Sequence, residues 1–443
     1  MENFEEKQNG QPSERKRKKG KKIGVIVLSV LLAIVFFIGG GVTFWFCLDK
    51  DMRTLIKVKF AIDREYYQEI DDDIFYGEIF KAINSNVLDD YSWYMTEEEY
   101  AETKKARTGR RSGVGLTFRV KDENDLPQML IVKVSGNSPA EEAGVLAGDK
   151  MIAFGKTEQT LIESVVFEDF SAFLEEQADD TPFIIKINRG GEEKLISVCR
   201  SEFVENYVFY RTNEKSYSFT GKSGDTLSER GTALSFLGQD TAYIRLTSFN
   251  GNAADNFKTA MEKFKADGKK NLVLDLRENG GGYMDILKKI ASYFCKSSKA
   301  KNPVISVADY GEKKEKFKAS ENVYDEYFSS DSRIAVLADD GTASASEALI
   351  GCMFDYGAIS YADICLSYRN GVAKTFGKGI MQTTYPVIIE DGAIKLTTAE
   401  LKWPVTGRSI HGRGILPEDG TQTVMENHLG DEEIKEAVLK LYL

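Results

Sequence analysis

Residues 270–290 read KNLVLDLRENGGGYMDILKKI and indicate the fold class of the chain. The first part of this stretch, residues 270–277, is an almost continuous apolar run, as in strands that are buried on both faces of a parallel sheet. Three successive glycines follow, and MDILKKI then places apolar residues at helical spacing. A strand that passes through glycines into a helix predicts an α/β core, in which chemistry collects at the carboxyl ends of the strands.

The same pattern recurs on both sides of this stretch. AYIRLTSF, residues 242–249, and RIAVLAD, residues 333–339, predict two more strands, and AADNFKTAMEKFKADG and SEALIGCMFDYG predict helices that end at glycine. Strands that alternate with helices indicate crossover connections. Residues 201–443 are therefore predicted to form one α/β domain with a parallel or mixed sheet and βαβ crossovers.

The amino terminus is basic and then apolar. Residues 14–22 read ERKRKKGKK, and residues 23–48 contain no charged side chain. Such a run exceeds what a helix needs to cross the roughly 30 Å hydrocarbon core of a bilayer. We expect residues 1–22 to be a cytoplasmic tail and residues 23–48 a single-pass transmembrane anchor in the cell membrane, with the rest outside the cytoplasm. A cleaved signal peptide is the alternative, and later cleavage of the anchor stays open.

Charge and composition limit the sites that the rest of the chain can hold. The chain carries 58 Lys and Arg against 69 Asp and Glu; eight of the basic and four of the acidic side chains precede residue 49, so the remainder has a net charge of −15. An acidic protein is unsuited to nucleic acid, which is bound through clustered Lys and Arg. Only two histidines, His411 and His428, and widely spaced cysteines argue against a metal site and a dense disulfide framework, and no cofactor is expected.

Residues 49–111 are predicted to be a helical segment, with apolar side chains at near-helical spacing in IFYGEIFKAINSNVL. Within it, DDYSWYM, residues 89–95, reads as a turn rich in aromatic side chains. We expect this turn to be a packing element rather than part of a site.

Short strands and turns follow in residues 112–200. GVGLTFRV and QMLIVKV alternate apolar and polar residues, SPAEEAGV indicates a short helix, and TPFIIKINRGGEEKLISVCR indicates a hairpin with a glycine turn. In this order the segment resembles a PDZ domain. The resemblance implies that Gly113, Val114, Gly115 and Leu116 form a carboxylate-binding loop, whose backbone N–H groups hold the C-terminus of a protein or peptide. An ordinary tight turn is the alternative.

Two strand ends carry residues suited to chemistry. Gly280, Gly281 and Gly282 follow the strand at 270–277, and glycines there let the main chain approach a ligand while helix-start N–H groups face outward. A phosphate loop is excluded because no GK[ST] follows. Ser344 in GTASASE lies at the start of the next helix among small residues, which leave its hydroxyl accessible. An ordinary helix cap is the alternative for this serine.

Because histidines are scarce, a histidine base is disfavoured, and a lysine can serve as the base instead. Lys378 lies between two glycines in TFGKG, in an apolar context where the fold can bury it. Burial lowers the pKa of a lysine, and a neutral amine can take the proton of a serine hydroxyl. Ser344 and Lys378 together favour a serine hydrolase in which lysine takes the place of histidine.

Four motifs in order carry a family resemblance. DLRENGGG, TASASE, TFGKG with a glutamine four residues later, and GRSIHGRGILPED together resemble the carboxyl-terminal processing peptidases, Ser/Lys proteases of the S41 type with a PDZ domain beside the catalytic core. The resemblance covers nearly all of the chain after the apolar segment. It implies a serine endopeptidase that cleaves protein substrates outside the cytoplasm and recognises their C-termini.

The resemblance also implies a role for each matching residue. Ser344 is the nucleophile, Lys378 the general base, and Gln382 the residue that orients the base. The backbone N–H groups of Gly282 and Ala345 form the oxyanion hole.

A further match and one departure complete the comparison with the family. Asp355 in MFDYG matches an aspartate that we expect to support the site by hydrogen bonding. Between Gly357 and Thr375, where the family usually has a short strand and a turn, the chain is longer than usual, and we expect an added surface loop there. A noncatalytic PDZ adaptor on an inactive protease fold and a hydrolase dependent on His411 are the alternatives. The physiological substrate, the oligomeric state, the oxidation of any cysteine pair, and whether the PDZ domain activates or inhibits stay open.

Overall fold

The structure is a computed structural model, and it describes residue 29 and residues 43–121, 124–369, 371–387, 392–424 and 430–442. The chain divides into two compact units, Met1–Ala82 and Ile83–Leu443. The predicted tail and most of the predicted transmembrane anchor lie outside the described residues. Within the described part of the chain, no helix is long and apolar enough to cross a membrane.

Helices fill the segment that was predicted to be helical. Helix α1, Lys50–Glu65, and helix α2, Asp72–Asn86, come first, and helix α3, Glu97–Arg107, follows them. Lys59 of α1 pairs with Asp72 at the start of α2, with 2.6 Å between Nζ and Oδ1. The helical prediction is confirmed for these three elements.

The remaining elements are numbered in chain order. The strands are β1 (Trp93–Met95), β2 (Arg110–Gly113), β3 (Leu116–Lys121), β4 (Pro127–Val134), β5 (Lys150–Gly155), β6 (Ile162–Glu163), β7 (Phe183–Arg189), β8 (Glu192–Val198), β9 (Ser201–Val204), β10 (Val208–Arg211), β11 (Ser216–Thr220), β12 (Thr226–Glu229), β13 (Thr241–Leu246), β14 (Asn271–Asp275), β15 (Val304–Asp309), β16 (Lys314–Lys318), β17 (Ile334–Ala338), β18 (Ile364–Ser367), β19 (Ile380–Pro386), β20 (Ala393–Lys402) and β21 (Gln422–Val424). The helices are α4 (Pro139–Glu142), α5 (Phe167–Glu175), α6 (Ala253–Ala266), α7 (Met284–Ile290), α8 (Tyr324–Tyr327), α9 (Ala345–Asp355) and α10 (Asp431–Tyr442).

An eight-stranded mixed sheet lies at the centre of the second unit, in the order β12-β11-β10-β13-β14-β17-β18-β21. The pairs β13–β14, β14–β17, β17–β18 and β18–β21 are parallel, whereas the pairs β12–β11, β11–β10 and β10–β13 are antiparallel. Ile244 and Leu274 belong to the core cluster that includes α6, α7 and α9, and Val273 and Leu337 belong to the cluster that includes Ile434 of α10. The sheet is therefore covered on both faces, and the predicted α/β core is confirmed.

Buried charges connect the central strand to the last helix. Arg277, which follows β14, is fully buried and bonds Asp275 with 2.5 Å between Nη2 and Oδ2. It also pairs with the buried Glu433 of α10. Each buried charge thus has a partner of opposite sign, as charges inside a protein require. This cluster fixes α10 to the strand that leads into the three glycines.

The segment between Gly357 and Thr375, where an added surface loop is expected, contains a buried strand. Strand β18 is fully buried there, and it pairs in parallel with β17 and with β21. A run as short as ICLS gives no periodicity that separates a buried strand from a loop. After β18 the chain turns back on itself, with backbone hydrogen bonds of 2.8 Å in both directions between Arg369 and Val372.

A second sheet brings the predicted packing turn next to the lysine motif. Its order is β1-β20-β15-β16, and β19 pairs with the same β20. Strand β1 comes from the DDYSWYM turn, and its Trp93 lies opposite Lys395 of β20. Strand β19 begins two residues after Lys378 and carries Gln382.

A third sheet has a core of its own. Its order is β3-β4-β5-β7-β8, with β6 on β5, and its buried side chains include Phe154, Phe170 and Phe183. The predicted glycine-turned hairpin is the β7–β8 pair and is confirmed. Within the described residues β3 has one partner strand, so its other edge is open.

Cys47, Cys199, Cys295 and Cys352 are free thiols. Cys295 and Cys352 are both fully buried, and their sulfur atoms are 3.6 Å apart. Cys352 belongs to α9 and lies in the main core cluster, as its apolar sequence context indicates.

Candidate active site

Ser344 lies in a tight turn between β17 and α9, residues 339–346, which we call the serine turn. Its backbone has φ 56° and ψ −113°, in the left-handed half of conformational space that non-glycine residues rarely adopt. Ala345 begins α9 directly afterwards. The serine is therefore held in a strained backbone at a helix N-terminus, where the helix dipole favours negative charge.

The glycine turn, residues 276–282, packs directly against the serine turn. A side-chain carbon added to Gly281 would lie 2.8 Å from the backbone nitrogen of Ala345 and 2.9 Å from Cβ of Ser344. Only glycine fits at this distance, so the contact between the two turns requires it. Glu278 in the glycine turn has φ 58°, so each turn holds one non-glycine residue in left-handed backbone.

Hydrogen bonds cross between the two turns. The carbonyl of Asn279 accepts the Ala343 N–H at 3.0 Å and the Ser346 hydroxyl at 2.9 Å. The Thr342 hydroxyl donates to the carbonyl of Leu276 at 2.8 Å. The side chains of Asn279, Thr342 and Ser346 are fully buried. A shift of one turn therefore moves the other.

Glu347, in the first turn of α9, connects the serine turn with the lysine motif. Its Oε2 accepts the backbone N–H of Ser344 at 2.9 Å and that of Lys378 at 3.0 Å. Its Oε1 accepts the Thr375 hydroxyl at 2.6 Å and the Gly377 N–H at 2.8 Å. Burial raises the pKa of Glu347, although the four hydrogen bonds oppose the rise. One buried carboxyl group thus brings the backbones of Ser344 and Lys378 together.

The Lys378 side chain is half-buried beside the DDYSWYM turn. Its Nζ lies 4.6 Å from the centroid of the Tyr91 ring. Burial lowers the pKa of Lys378, and the Asp89 carboxylate opposes this by raising it. The net direction is downward, which increases the fraction of neutral amine at a given pH and suits a general base.

A second lysine occupies the same surroundings. Nζ of Lys395 lies 4.3 Å from the centroid of the Trp93 ring. Burial lowers the pKa of Lys395, and the charge of Lys378 lowers it further. Tyr91 and Trp93, two positions apart in the DDYSWYM turn, therefore each cover one lysine ammonium group.

The two residues of the predicted dyad, Ser344 and Lys378, are brought together through their main chains, which both bond Glu347. The structure describes no hydrogen bond between the Lys378 amine and the Ser344 hydroxyl. Gln382 donates its amide to the Thr397 hydroxyl at 3.3 Å, and Thr397 donates to Asp89 at 3.3 Å. Catalytic hydrogen bonds are often long or poorly aligned in enzymes without substrate. The roles of Ser344, Lys378 and Gln382 stay predictions.

The two predicted oxyanion-hole donors lie on adjoining backbone. Gly282 follows Gly281, which contacts the nitrogen of Ala345. A side-chain carbon on Gly282 would lie 2.4 Å from the carbonyl oxygen of Phe249, so this position also requires glycine. Among the residues that the structure describes, the N–H groups of Gly282 and Ala345 donate to no protein acceptor. Two unpaired donors beside a serine suit an oxyanion, and this assignment stays a prediction.

Asp355 lies at the other end of α9, about 16 Å from Ser344 at 1.5 Å per helical residue. Its carboxylate accepts the N–H of Val405 at 2.7 Å and the N–H of Thr406 at 3.0 Å. The hydrogen bonds of Asp355 therefore hold the loop after β20, and it does not contact the other predicted site residues.

The two histidines differ in what the structure describes of them. The backbone nitrogen of His411 would lie 2.7 Å from a side-chain carbon on Gly379, so His411 borders the lysine motif through its main chain. His411 as a whole is exposed. His428 lies outside the described residues.

The predicted carboxylate-binding loop leads into the open edge of β3. Gly113 ends β2, and Leu116 begins β3. Val114 is buried in the core of the third sheet, and a side-chain carbon on Gly115 would lie 2.2 Å from Cβ of Ser138. A backbone loop beside an open strand edge is the arrangement that peptide binding by strand addition needs. The binding role of these four residues stays a prediction.

Sequence reasoning missed two parts of this site. The DDYSWYM turn supplies Asp89 and Tyr91 to Lys378, although the sequence indicated packing alone. The available signal was the spacing of Tyr91 and Trp93, two aromatic side chains two positions apart directly after Asp89 and Asp90. Glu347 is the last residue of GTASASE and was not singled out in the sequence, because only the folded chain brings Thr375 and Gly377 to it.

Comparisons with known proteins agree with the fold and the motifs. The model of Peptidase family S41 matches residues 240–419. The "Probable CtpA-like serine protease" of Staphylococcus haemolyticus strain JCSC1435 is 28% identical over 409 residues, 89% of this chain and 70% of that protein. The protein of the same name in Staphylococcus aureus strain COL is 26% identical over 401 residues, again 89% of this chain and 70% of the relative.

A solved structure is similar in fold. The "Putative S41 protease" of Bacteroides fragilis NCTC 9343 aligns with a TM-score of 0.50 and 16% identity, over 85% of this chain and 91% of that chain. The family match and the relatives together define a serine peptidase. The resemblance to the carboxyl-terminal processing peptidases is confirmed at the level of this family match, which covers residues 240–419, and of these relatives.

Proposed function

We propose that this chain is a membrane-anchored serine endopeptidase of the carboxyl-terminal processing type, which cleaves protein substrates outside the cytoplasm with a Ser344–Lys378 dyad. The observation that supports the dyad most is the Glu347 carboxyl group, whose one oxygen accepts the backbone N–H groups of both residues. A shared acceptor fixes nucleophile and base relative to each other before substrate arrives, which is what catalysis by positioning requires.

In the proposed reaction the neutral amine of Lys378 takes the proton of the Ser344 hydroxyl while Oγ attacks the peptide carbonyl. The oxygen of the tetrahedral intermediate accepts hydrogen bonds from the N–H groups of Gly282 and Ala345. The protonated lysine gives its proton to the leaving amine, which leaves an acyl-enzyme on Ser344. Lys378 then accepts a proton from water while the water oxygen attacks the ester carbonyl. The bond between the acyl carbon and Oγ of Ser344 breaks, the product leaves as a carboxylic acid, and Lys378 returns the proton to Oγ.

The proposed PDZ domain, residues 112–200, holds the C-terminus of the substrate. The open edge of β3 and the loop from Gly113 to Leu116 support this role. Phe167 of α5 is partly exposed and lies 5.9 Å from Phe118 of β3, so the strand edge has apolar side chains beside it for a substrate side chain. C-terminal recognition would bring one end of the substrate close to the peptidase core.

Membrane attachment is proposed through residues 23–48. The support is the uncharged run that follows the basic residues 14–22. By the positive-inside rule this order retains the amino terminus in the cytoplasm and places the acidic remainder outside.

The catalytic proposal is tested with full-length protein in detergent and an internally quenched peptide. We expect Ser344→Ala and Lys378→Met each to lower kcat/KM by about a thousandfold or more, because removing one member of a nucleophile–base pair disables the pair. Lys374→Met, a lysine of the same loop, is the matched control and should stay active. His411→Ala should also keep most of the activity. If His411→Ala lost activity while Lys378→Met kept it, the general base would be His411 and not Lys378.

Recognition of C-termini is tested with two substrates that differ in one group. A protein substrate with a free C-terminal carboxylate should have a lower KM than the same chain with a C-terminal amide, because an amide carries no charge for the loop to bind. A short peptide that cannot span both domains is the control and should be cleaved equally in both forms. Equal KM values for the long pair would contradict this part of the proposal.

A further inference from the structure

Arg369 lies at the junction of the two site turns, although it belongs to the segment between Gly357 and Thr375 where the chain departs from its family. Its guanidinium bonds Glu278 of the glycine turn and Asp339 of the serine turn, each at 2.7 Å. The Arg369 side chain is 15% exposed and that of Asp339 is fully buried. One arginine side chain thus joins a carboxylate from each turn.

Asp339 continues this connection to the backbone of both turns. Its Oδ1 accepts the Glu278 N–H at 2.8 Å, the Gly341 N–H at 3.0 Å and the Thr342 hydroxyl at 3.2 Å. Its other oxygen, Oδ2, bonds Arg369. The arginine therefore neutralises a buried carboxylate that would otherwise carry an uncompensated charge between the two turns.

The backbone of the glycine turn is strained, so contacts from outside the turn must stabilise its conformation. Glu278 has φ 58°, and such a residue persists only where the surrounding structure fixes it. A side-chain carbon on Gly341 would lie 2.9 Å from Cα of Glu278, so the serine turn presses on this same residue. Gly282 follows Glu278 by four residues within one turn. Relaxation at Glu278 would therefore move the Gly282 N–H.

We propose that Arg369 is a positioning residue, which sets the geometry of the oxyanion hole by holding the glycine turn against the serine turn. This inference rests on the proposed function, which assigns the oxyanion hole to Gly282 and Ala345. Arg369 touches no reacting atom and acts through Glu278 and Asp339. The planar fork of arginine bonds both carboxylates at once, which a lysine ammonium on a flexible stem does less well.

The test compares Arg369→Met, Arg369→Lys and Glu278→Gln with wild type as full-length protein in detergent. Active sites are counted first by titration with a fluorophosphonate, so that kcat refers to folded and reactive protein. For Arg369→Met we expect kcat per site to fall about 10- to 100-fold while KM changes less than about threefold, because displaced donors weaken the transition state more than the bound substrate. Arg369→Lys should lie between Arg369→Met and wild type.

The variant Glu278→Gln removes the charge from one arm of the contact and leaves Asp339 paired, so it tests the same idea without an uncompensated buried charge. We expect it to lower kcat per site about tenfold. Because Arg369 and Glu278 belong to one contact, the double variant should lose little more than Arg369→Met alone. Independent, multiplying losses would show that Arg369 does not act through Glu278 and would overturn the inference.

Lys263→Met is the matched control. Lys263 also pairs with a partly buried aspartate, Asp267, but at the end of α6 and next to the amino end of β14, whereas the serine turn follows the carboxyl end of the parallel strand β17. It should keep kcat per site. If Arg369→Met and Glu278→Gln also keep kcat per site and merely reduce the number of titrated sites, the arginine is structural and the inference fails. Folded wild-type protein that never reacts with the fluorophosphonate would instead overturn the proposed function itself.

Discussion

Ser344 and Lys378 donate their backbone N–H groups to the same oxygen atom, Oε2 of Glu347, at 2.9 Å and 3.0 Å. The nucleophile and the base are 34 positions apart in the sequence. A fully buried carboxyl group that accepts four hydrogen bonds determines how their main chains meet.

Replacing this carboxyl group should damage both activity and stability. In Glu347→Gln an amide NH₂ replaces one acceptor oxygen and faces backbone N–H donors that then lose their partner. We expect kcat/KM to fall about a hundredfold and the free energy of unfolding to drop by about 1–3 kcal/mol. Peptide hydrolysis and denaturant unfolding measure the two effects. Glu326→Gln, at an exposed glutamate of α8, should change neither, and a fully active Glu347→Gln would contradict this account of the site.

The three glycines of the glycine turn should differ in their tolerance of a methyl group. Gly281→Ala places Cβ 2.8 Å from the Ala345 nitrogen at a residue with φ 97°, so we expect a loss of about 1–3 kcal/mol in stability and most of the activity. Gly280→Ala is the control, because nothing lies within 4 Å of its Cβ, and it should stay within about 0.5 kcal/mol of wild type. Thermal unfolding and peptide hydrolysis of Gly281→Ala and Gly280→Ala measure the two effects. Equal stability and activity in both variants would contradict the close contact at Gly281.

The pH dependence of activity should respond to Asp89. The active form of Lys378 is the neutral amine, so kcat/KM rises with pH through the pKa of this lysine. The Asp89 carboxylate raises that pKa. Asp89→Asn should therefore lower the pKa of Lys378 and shift the acidic limb of the profile to lower pH. Asp90→Asn, at the exposed neighbouring position, should leave the limb in place, and a shift to higher pH in Asp89→Asn would contradict the assignment of Lys378 as base.

The aromatic ring of Tyr91, which lies over Lys378, should raise the pKa of this lysine, as the Asp89 carboxylate does. A ring face stabilises the ammonium form, and Nζ lies 4.6 Å from the Tyr91 centroid. Tyr91→Leu removes this stabilisation and should move the acidic limb of the kcat/KM profile to lower pH, whereas Tyr91→Phe keeps the ring face and should preserve the wild-type limb. If both variants shift equally, the hydroxyl rather than the ring governs the lysine.

Local patterns predicted the elements that carry the dyad. The apolar runs that became β14 and β17 are long enough to be recognised, and glycines and small residues mark where the turns follow them. Ser344 and Lys378 could be proposed because burial of a lysine and exposure of a serine both leave traces in neighbouring residues. Their helices and strands formed where these patterns placed them.

Contacts between distant segments could not be predicted in this way. Trp93 lies opposite Lys395, about 300 positions later in the chain, and no local pattern encodes such a register. For the same reason the DDYSWYM turn was expected only to pack, and the position of β18 between β17 and β21 was not predicted. Arg369 was passed over because its two carboxylate partners, Glu278 and Asp339, come from other segments.

The most direct test of the central claim is covalent labelling of Ser344 by a fluorophosphonate, followed by peptide mass analysis, across a range of pH. We predict a single modified residue, Ser344, and a labelling rate that rises with pH in wild type and is lost in Lys378→Met but kept in Lys374→Met. A folded protein that hydrolyses peptides while Ser344 stays unmodified, or a rate that is unchanged in Lys378→Met, would contradict the account.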